Sequence, residues 1–181
     1  MPKKKPIRIL AIDPGTRYMG VAISEEDDLI YSTVKVVKEK KMDYLMSLKK
    51  VERIIVSLIK DFDPHILVIE KNFYIQSKES SLLNHLIEKI KALARKNGLK
   101  VNSYTPTTVR RFICQNGKAT KMRAALIIAT EYYPWLYRYY EKDMKKSWWE
   151  ENYWAYMFGA IALGLTCYHN DVDLKLKRRA P

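Results

Sequence analysis

Acidic residues are the first shortage in this chain: 20 Asp and Glu stand against 33 Lys and Arg in 181 residues, a formal net charge of +13. A lysine-heavy solvated surface ordinarily carries matching Glu, so the imbalance points to a polyanionic partner, with nucleic acid first in line. Cysteine is nearly absent. Cys114 and Cys167 stand far apart and outside any CxxC spacing, which excludes a disulfide scaffold and a zinc site and suits reduced, cytosolic thiols. No Gly/Ser/Pro-rich linker and no internal repeat breaks the chain, so one domain over 1–181 is expected, with a disordered basic tail from about 171 containing Lys175, Lys177, Arg178 and Arg179. A secretory signal is missing too: Lys3, Lys4 and Lys5 lead into a strand-like run and not into a long apolar segment. One uncharged run, Asn152 to His169, approaches membrane length, but its Asn, Thr, His and two Gly suit a buried helix better than a span.

What is present is organised around ILAIDPGTRYMGVA, Ile9 to Ala22. An apolar run enters Asp13, Pro14 and Gly15 force a turn, and a second run leaves from Met19, the pattern of a β-hairpin. Leu29 to Val36 continues an antiparallel meander. Asp43 to Phe62 carries apolar residues at helical spacing, and Ile66 to Ile69 is a short, wholly apolar strand that ends at Glu70. Ser80 to Asn97 then reads as a helix, Leu99 to Tyr104 as a fifth strand, and Thr105-Pro106 as a cap and first helical residue. Further helices follow, through Val109 and Ile113, from about Thr120 to Tyr132, and from about Trp149 to Tyr168, with an irregular, aromatic and basic stretch over Pro134 to Lys146. Strands and helices alternating after a meander define an α/β fold with a mixed five-stranded sheet.

Asp13 alone reads as a turn former. It gains weight from Glu70, which meets it if the first and fourth strands are neighbours, and from Glu150 and Glu151 at the head of the last helix. Carboxylates gathered on a phosphate-attracting protein are what two-metal phosphodiester hydrolysis requires, because hard divalent cations take oxygen ligands and a pair of them activates water and stabilises the leaving oxygen.

Three stretches carry a resemblance. IDPGTRYMGVA, LVIEKNFYIQSKESSLLNHL and YTPTTVRRFICQNGKATK resemble the opening hairpin, second acidic motif and basic motif of the RuvC-type Holliday-junction resolvases, within the ribonuclease H-like superfamily. The resemblance implies a ribonuclease H-like fold and a crossover junction endodeoxyribonuclease that resolves four-way DNA junctions by paired symmetric nicks. It implies a homodimer, no membrane, and work in the cytoplasm of a bacterial or phage-infected cell. It further implies two Mg²⁺ per site, with Mn²⁺ as a substitute, held by Asp13, Glu70 and Glu151, with Glu150 beside them. Phe73 becomes the aromatic that stacks on an opened base. Arg110 and Lys121 become phosphate clamps, with Arg111, Lys118 and Arg123 sharing that work.

The departure falls on the final helix. Where the family places two acids three residues apart, the matching pair is expected to be Glu151 and Trp154, so one carboxylate is missing, with Glu150 or Asp143 as candidates to replace it. Two other readings follow: a related nuclease acting on other branched DNA or structured RNA, and a catalytically weak junction-binding protein.

Overall fold

The computed structural model describes residues 6–39, 42–71, 78–147 and 151–173. Five strands form one sheet: β1 (Arg8–Asp13), β2 (Tyr18–Glu25), β3 (Asp28–Val36), β4 (Ile66–Glu70) and β5 (Lys100–Tyr104), in the order β3-β2-β1-β4-β5. β1 pairs antiparallel with β2, and β2 with β3, as the meander requires. β1 and β4 are parallel with Ile12 opposite Ile69, and β4 and β5 are parallel. The connections between these parallel strands are α1 (Tyr44–Phe62) and α2 (Lys78–Lys96). Asp43 caps α1 by accepting from the Met46 amide at 2.8 Å, and Asp63 at its other end takes a left-handed conformation.

Alternation along the strands sends the two faces of the sheet to different helices. Leu10, Ile12, Leu67 and Ile69 pack with Val51, Ile55 and Ile90 of α1 and α2. Ile9, Ala11, Ile66 and Val68 pack on the other side with Val109, Ala125 and Ile161. Those residues belong to α3 (Pro106–Cys114), α4 (Lys121–Ile127) and α6 (Tyr153–Cys167). Thr105 and Pro106 start α3 as expected, with Thr105 Oγ1 accepting from the Thr108 amide at 3.1 Å.

Two expectations are corrected. The stretch expected to be irregular holds a 3₁₀ turn (Pro134–Leu136) and α5 (Tyr137–Met144). Its inward stripe includes a buried Asp143, a charged residue that interrupts the apolar periodicity by which an amphipathic helix is recognised. The final helix begins at Tyr153 rather than Trp149, and the chain continues past α6 through a π-helical segment (Tyr168–Asp173). α6 carries no charged residue and is apolar all round, as a helix enclosed by sheet and other helices should be. No described helix is long and apolar enough to cross a membrane.

Candidate active site

Asp13 shares its strand parity with Ile9 and Ala11, and Glu70 shares that of Ile66 and Val68, so both point to the α6 side of the sheet. In-register parallel pairing of β1 with β4 also brings both to the same end of neighbouring strands. Lys121, the first residue of α4 after its Thr120 cap, lies between them: its Nζ is 3.4 Å from Asp13 Oδ2 and 3.7 Å from Glu70 Oε1. A cation at a helix N-terminus is disfavoured by the helix dipole, and here two carboxylates offset that cost.

Asp13 is 1% exposed and its Oδ1 has no hydrogen-bond partner. Burial pushes this carboxyl up to about 7; Lys121 pulls against the rise and Glu70 adds to it. Asp13 in turn holds the Lys121 ammonium above its ordinary range. At pH 7 a divalent cation would thus compete with a proton for a desolvated carboxylate.

Helix α6 closes the site from above by backbone approach. A Cβ on Gly20, opposite Asp13 in the hairpin, would lie 1.8 Å from the Tyr156 carbonyl oxygen, and one on Gly159 would lie 2.0 Å from Asp13 Oδ2. Only glycine at both positions lets the helix sit this close to the hairpin. Glu70, Arg110, Lys121, Ala155, Gly159 and Ala162 line the resulting pocket. The small-residue face of the final helix therefore does meet Asp13, but the residue directly over that carboxylate is Gly159.

The remaining expected residues are placed as follows. Glu151 lies two residues ahead of α6, where its carboxylate accepts from the Tyr156 hydroxyl at 2.8 Å and stands 3.9 Å from the Arg17 guanidinium. It shares an adjoining pocket with Lys121, Met122 and Tyr156, at the rim of the site and not beneath Asp13. Arg110 is committed to the backbone: Nε donates to Pro106 O at 3.2 Å and Nη1 to Ala119 O at 3.0 Å, tying α3 to the loop that leads into Lys121. It positions Lys121 while also lining the pocket. Arg111, Lys118 and Arg123 are exposed nearby.

Asp143, the other candidate for the missing carboxylate, is engaged away from the Asp13–Glu70 pair. Its Oδ2 accepts from the Ala155 amide at 2.8 Å and its Oδ1 lies 3.1 Å from Lys146 Nζ, so it caps α6 from a neighbouring helix while Asn152 makes no side-chain cap. Trp154 packs on Tyr139, with ring centroids 4.3 Å apart, and does not enter the site. Phe73 and Glu150 lie outside the described residues. Sequence reasoning missed Tyr156, whose ring packs over Gly15 and whose hydroxyl holds Glu151; its place beside Ala155, in the first turn of the final helix, was the available signal. Among the described residues, no group of three or more His, Cys, Asp or Glu has a metal-binding arrangement.

A mixed five-stranded sheet flanked by helices, with β1 antiparallel to β2 and parallel to β4, is the ribonuclease H-like fold. The particular family follows from comparison with known proteins. A profile described as "Crossover junction endodeoxyribonuclease RuvC" matches residues 9–131, and the chain belongs to that family. The RuvC of Koribacter versatilis is 28% identical over 130 residues, covering 68% of this chain and 77% of the relative. That of Hydrogenovibrio crunogenus is 29% identical over 124 residues, covering 67% and 72%. The Thermus thermophilus RuvC structure has a similar fold, with TM-score 0.68 at 16% identity, covering 90% of this chain and 95% of that one. The yeast mitochondrial Holliday junction resolvase follows with TM-score 0.64 at 17% identity, covering 98% and 83%. The profile match stops ahead of α5 and α6, the part of the chain that carries Gly159 and Glu151.

Proposed function

We propose that this chain is a divalent-metal-dependent endonuclease that resolves four-way DNA junctions by paired symmetric nicks, acting as a homodimer on cytoplasmic DNA. Membership of the RuvC family supports the activity. The single observation that carries the chemistry is Asp13 and Glu70 brought to one strand end against the Lys121 ammonium.

The buried, unpartnered Oδ1 of Asp13 fits a cation, and oxygen donors suit Mg²⁺, with Mn²⁺ as a substitute. When bound, the cation supplies an activated water and stabilises the charge that builds on the phosphate. Asp13 and Glu70 would hold it. Lys121, whose ammonium lies between the two carboxylates, would neutralise charge on the scissile phosphate. Arg110 keeps the loop before Lys121 in place, and Arg111, Lys118 and Arg123 contact flanking phosphates without reading sequence. Phe73 stacks on a base opened at the branch point. A two-fold dimer places two such sites on opposite strands, as symmetric cutting requires.

The test is a synthetic four-way junction, labelled on each strand in turn and incubated with and without Mg²⁺ or Mn²⁺, beside a linear duplex and an RNA hairpin. Paired nicks confined to the junction and dependent on metal are expected. Equal cutting of the linear duplex would overturn the junction assignment, and binding without cutting in any metal would leave a junction-binding protein in place of an enzyme.

A further inference from the structure

The aromatic and basic stretch from Pro134 to Lys146 lies beyond the residues 9–131 that the RuvC profile covers, and it lines neither pocket at the acid pair. Its inner side serves packing, with Leu136 and Asp143 buried. Its outer side turns large apolar groups to water: Trp135 is 61% exposed, Tyr137 45% and Met144 55%. A surface that meets only solvent carries few such groups close together. Cations stand beside them, since Arg138, Lys142 and Lys145 at i, i+4 and i+7 share one face of α5. The Arg138 guanidinium carbon lies 4.7 Å from the centre of the Tyr139 ring, and Lys142 Nζ lies 5.6 Å from that ring and 5.9 Å from Trp154. A ring face holds a cation in place without cancelling its charge, as a carboxylate would, so both heads remain available to an anion. Lys145 differs, with Glu141 at 3.1 Å.

This face is continuous with the active site. Lys142 rests on Trp154, whose neighbour Ala155 lines the Asp13–Glu70 pocket, and Lys146 just past α5 donates to Glu151 O at 3.0 Å on the rim. A strand leaving the pocket over the start of α6 therefore meets α5 next. Cations alone suffice for a duplex, whose phosphates face outward while its base faces are stacked away. Exposed rings gain nothing from such a partner. Rings beside cations suit unpaired nucleotides, whose bases stack on the rings while the cations follow the backbone.

We propose that the outer face from Trp135 to Lys145 binds single-stranded DNA running out from the branch point, with Trp135 and Tyr137 stacking on unpaired bases and Arg138 and Lys142 holding the phosphates between them. The inference rests on the branched-DNA reading and extends its substrates. A branch with one unpaired arm is gripped at the acid pair and on α5 together, whereas a fully paired four-way junction leaves the rings unused. At 1.5 Å per residue α5 offers about 12 Å of this face, enough for a few nucleotides and not for a long tract.

Fluorescence anisotropy of the full chain in EDTA, where metal-dependent cutting is off, compares four probes: a mixed-sequence single strand of about twelve nucleotides, its duplex, a paired four-way junction and the same junction with one arm unpaired. The single strand should bind about tenfold more tightly than the duplex, and the unpaired-arm junction more tightly than the paired one. Trp135→Leu combined with Tyr137→Leu keeps apolar bulk but removes both rings. It should lose at least about tenfold in affinity for the single strand and the unpaired arm, the scale of one lost base stack, and far less for the duplex. Arg138→Gln combined with Lys142→Gln changes only exposed side chains; it should also weaken the single strand and lower its salt slope by about 1.4, two phosphate contacts' worth. Tryptophan fluorescence should be quenched by the single strand in wild type and clearly less in Trp135→Phe. Equal wild-type affinity for single strand and duplex would overturn the proposal. So would a ring variant, folded by circular dichroism, that binds the single strand like wild type or weakens on strand and duplex alike. Should the ring variant not fold, an unchanged salt slope in the charge variant or equal quenching in Trp135→Phe overturns it. Absence of nicking in any metal strikes the nuclease reading alone, since these measurements are made without metal.

Discussion

Burial raises the Asp13 carboxyl from its ordinary 3.8 to about 7 in spite of Lys121 beside it, so this residue opposes folding at neutral pH. The folded chain holds the proton more tightly than the unfolded chain does between those values. Stability conferred on the protonated form is therefore present below pH 3.8 and is lost as pH rises through about 7. Asp13→Asn should abolish nicking and make the chain more stable than wild type at pH 8 by about 2 kcal/mol, with the advantage vanishing near pH 4. Paired thermal melts across that range measure it, and parallel profiles for the two proteins would remove the desolvation argument. Gly159→Ala should cost about 3 kcal/mol, since its methyl group cannot be placed without moving Asp13 or the helix. Glu151→Gln should slow nicking by no more than about fivefold, the worth of a rim ion pair. A dead but folded Glu151→Gln protein would restore Glu151 as a ligand.

At the level of elements, α6 sets the site by its height and its start. Small residues at 155, 159 and 162 allow it to approach the sheet. Asp143 decides where along the strands its first turn lies, by capping the Ala155 amide from α5. Removing that carboxylate leaves the Ala155 amide without its cap and takes one partner from the Lys146 ammonium, which keeps its hydrogen bond to Glu151 O. Asp143→Ala should therefore lower stability by about 2 kcal/mol and also slow nicking, because Gly159 and Tyr156 shift with the turn. Denaturant melts and the junction assay together separate this from a ligand role, which would spare stability. Arg110 acts in the same way on the other wall, holding two backbone carbonyls that fix the entry to α4.

Across the whole molecule, a net charge of +13 faces a polyanion. If about six phosphates are contacted, junction affinity should fall on the order of 10³-fold between 50 and 200 mM salt, as condensed counterions are no longer released at a gain. Fluorescence anisotropy at several salt concentrations measures this. A nearly flat dependence would argue against a DNA-backbone grip and with it the role given to Arg111, Lys118 and Arg123.

By itself the sequence determined the features that are local. The Asp-Pro-Gly turn after an apolar run specifies the hairpin and puts a carboxylate at its mouth, the all-apolar Ile66 to Ile69 run specifies a strand buried on both faces, and Asp43, Thr105 and Pro106 specify helix starts. Each depends on neighbours within a few positions. Tertiary structure alone decided that Gly159 stands over Asp13 while Glu151 remains at the rim, that Asp143 caps α6, and that Arg110 binds backbone. A helix face shows in its spacing, but the residue of that face which lies opposite a given strand end depends on how far the helix slides along the sheet, at about 1.5 Å per residue. That slide is set by a cap from another helix and by two glycine contacts distant in the chain, neither of which leaves a periodic trace.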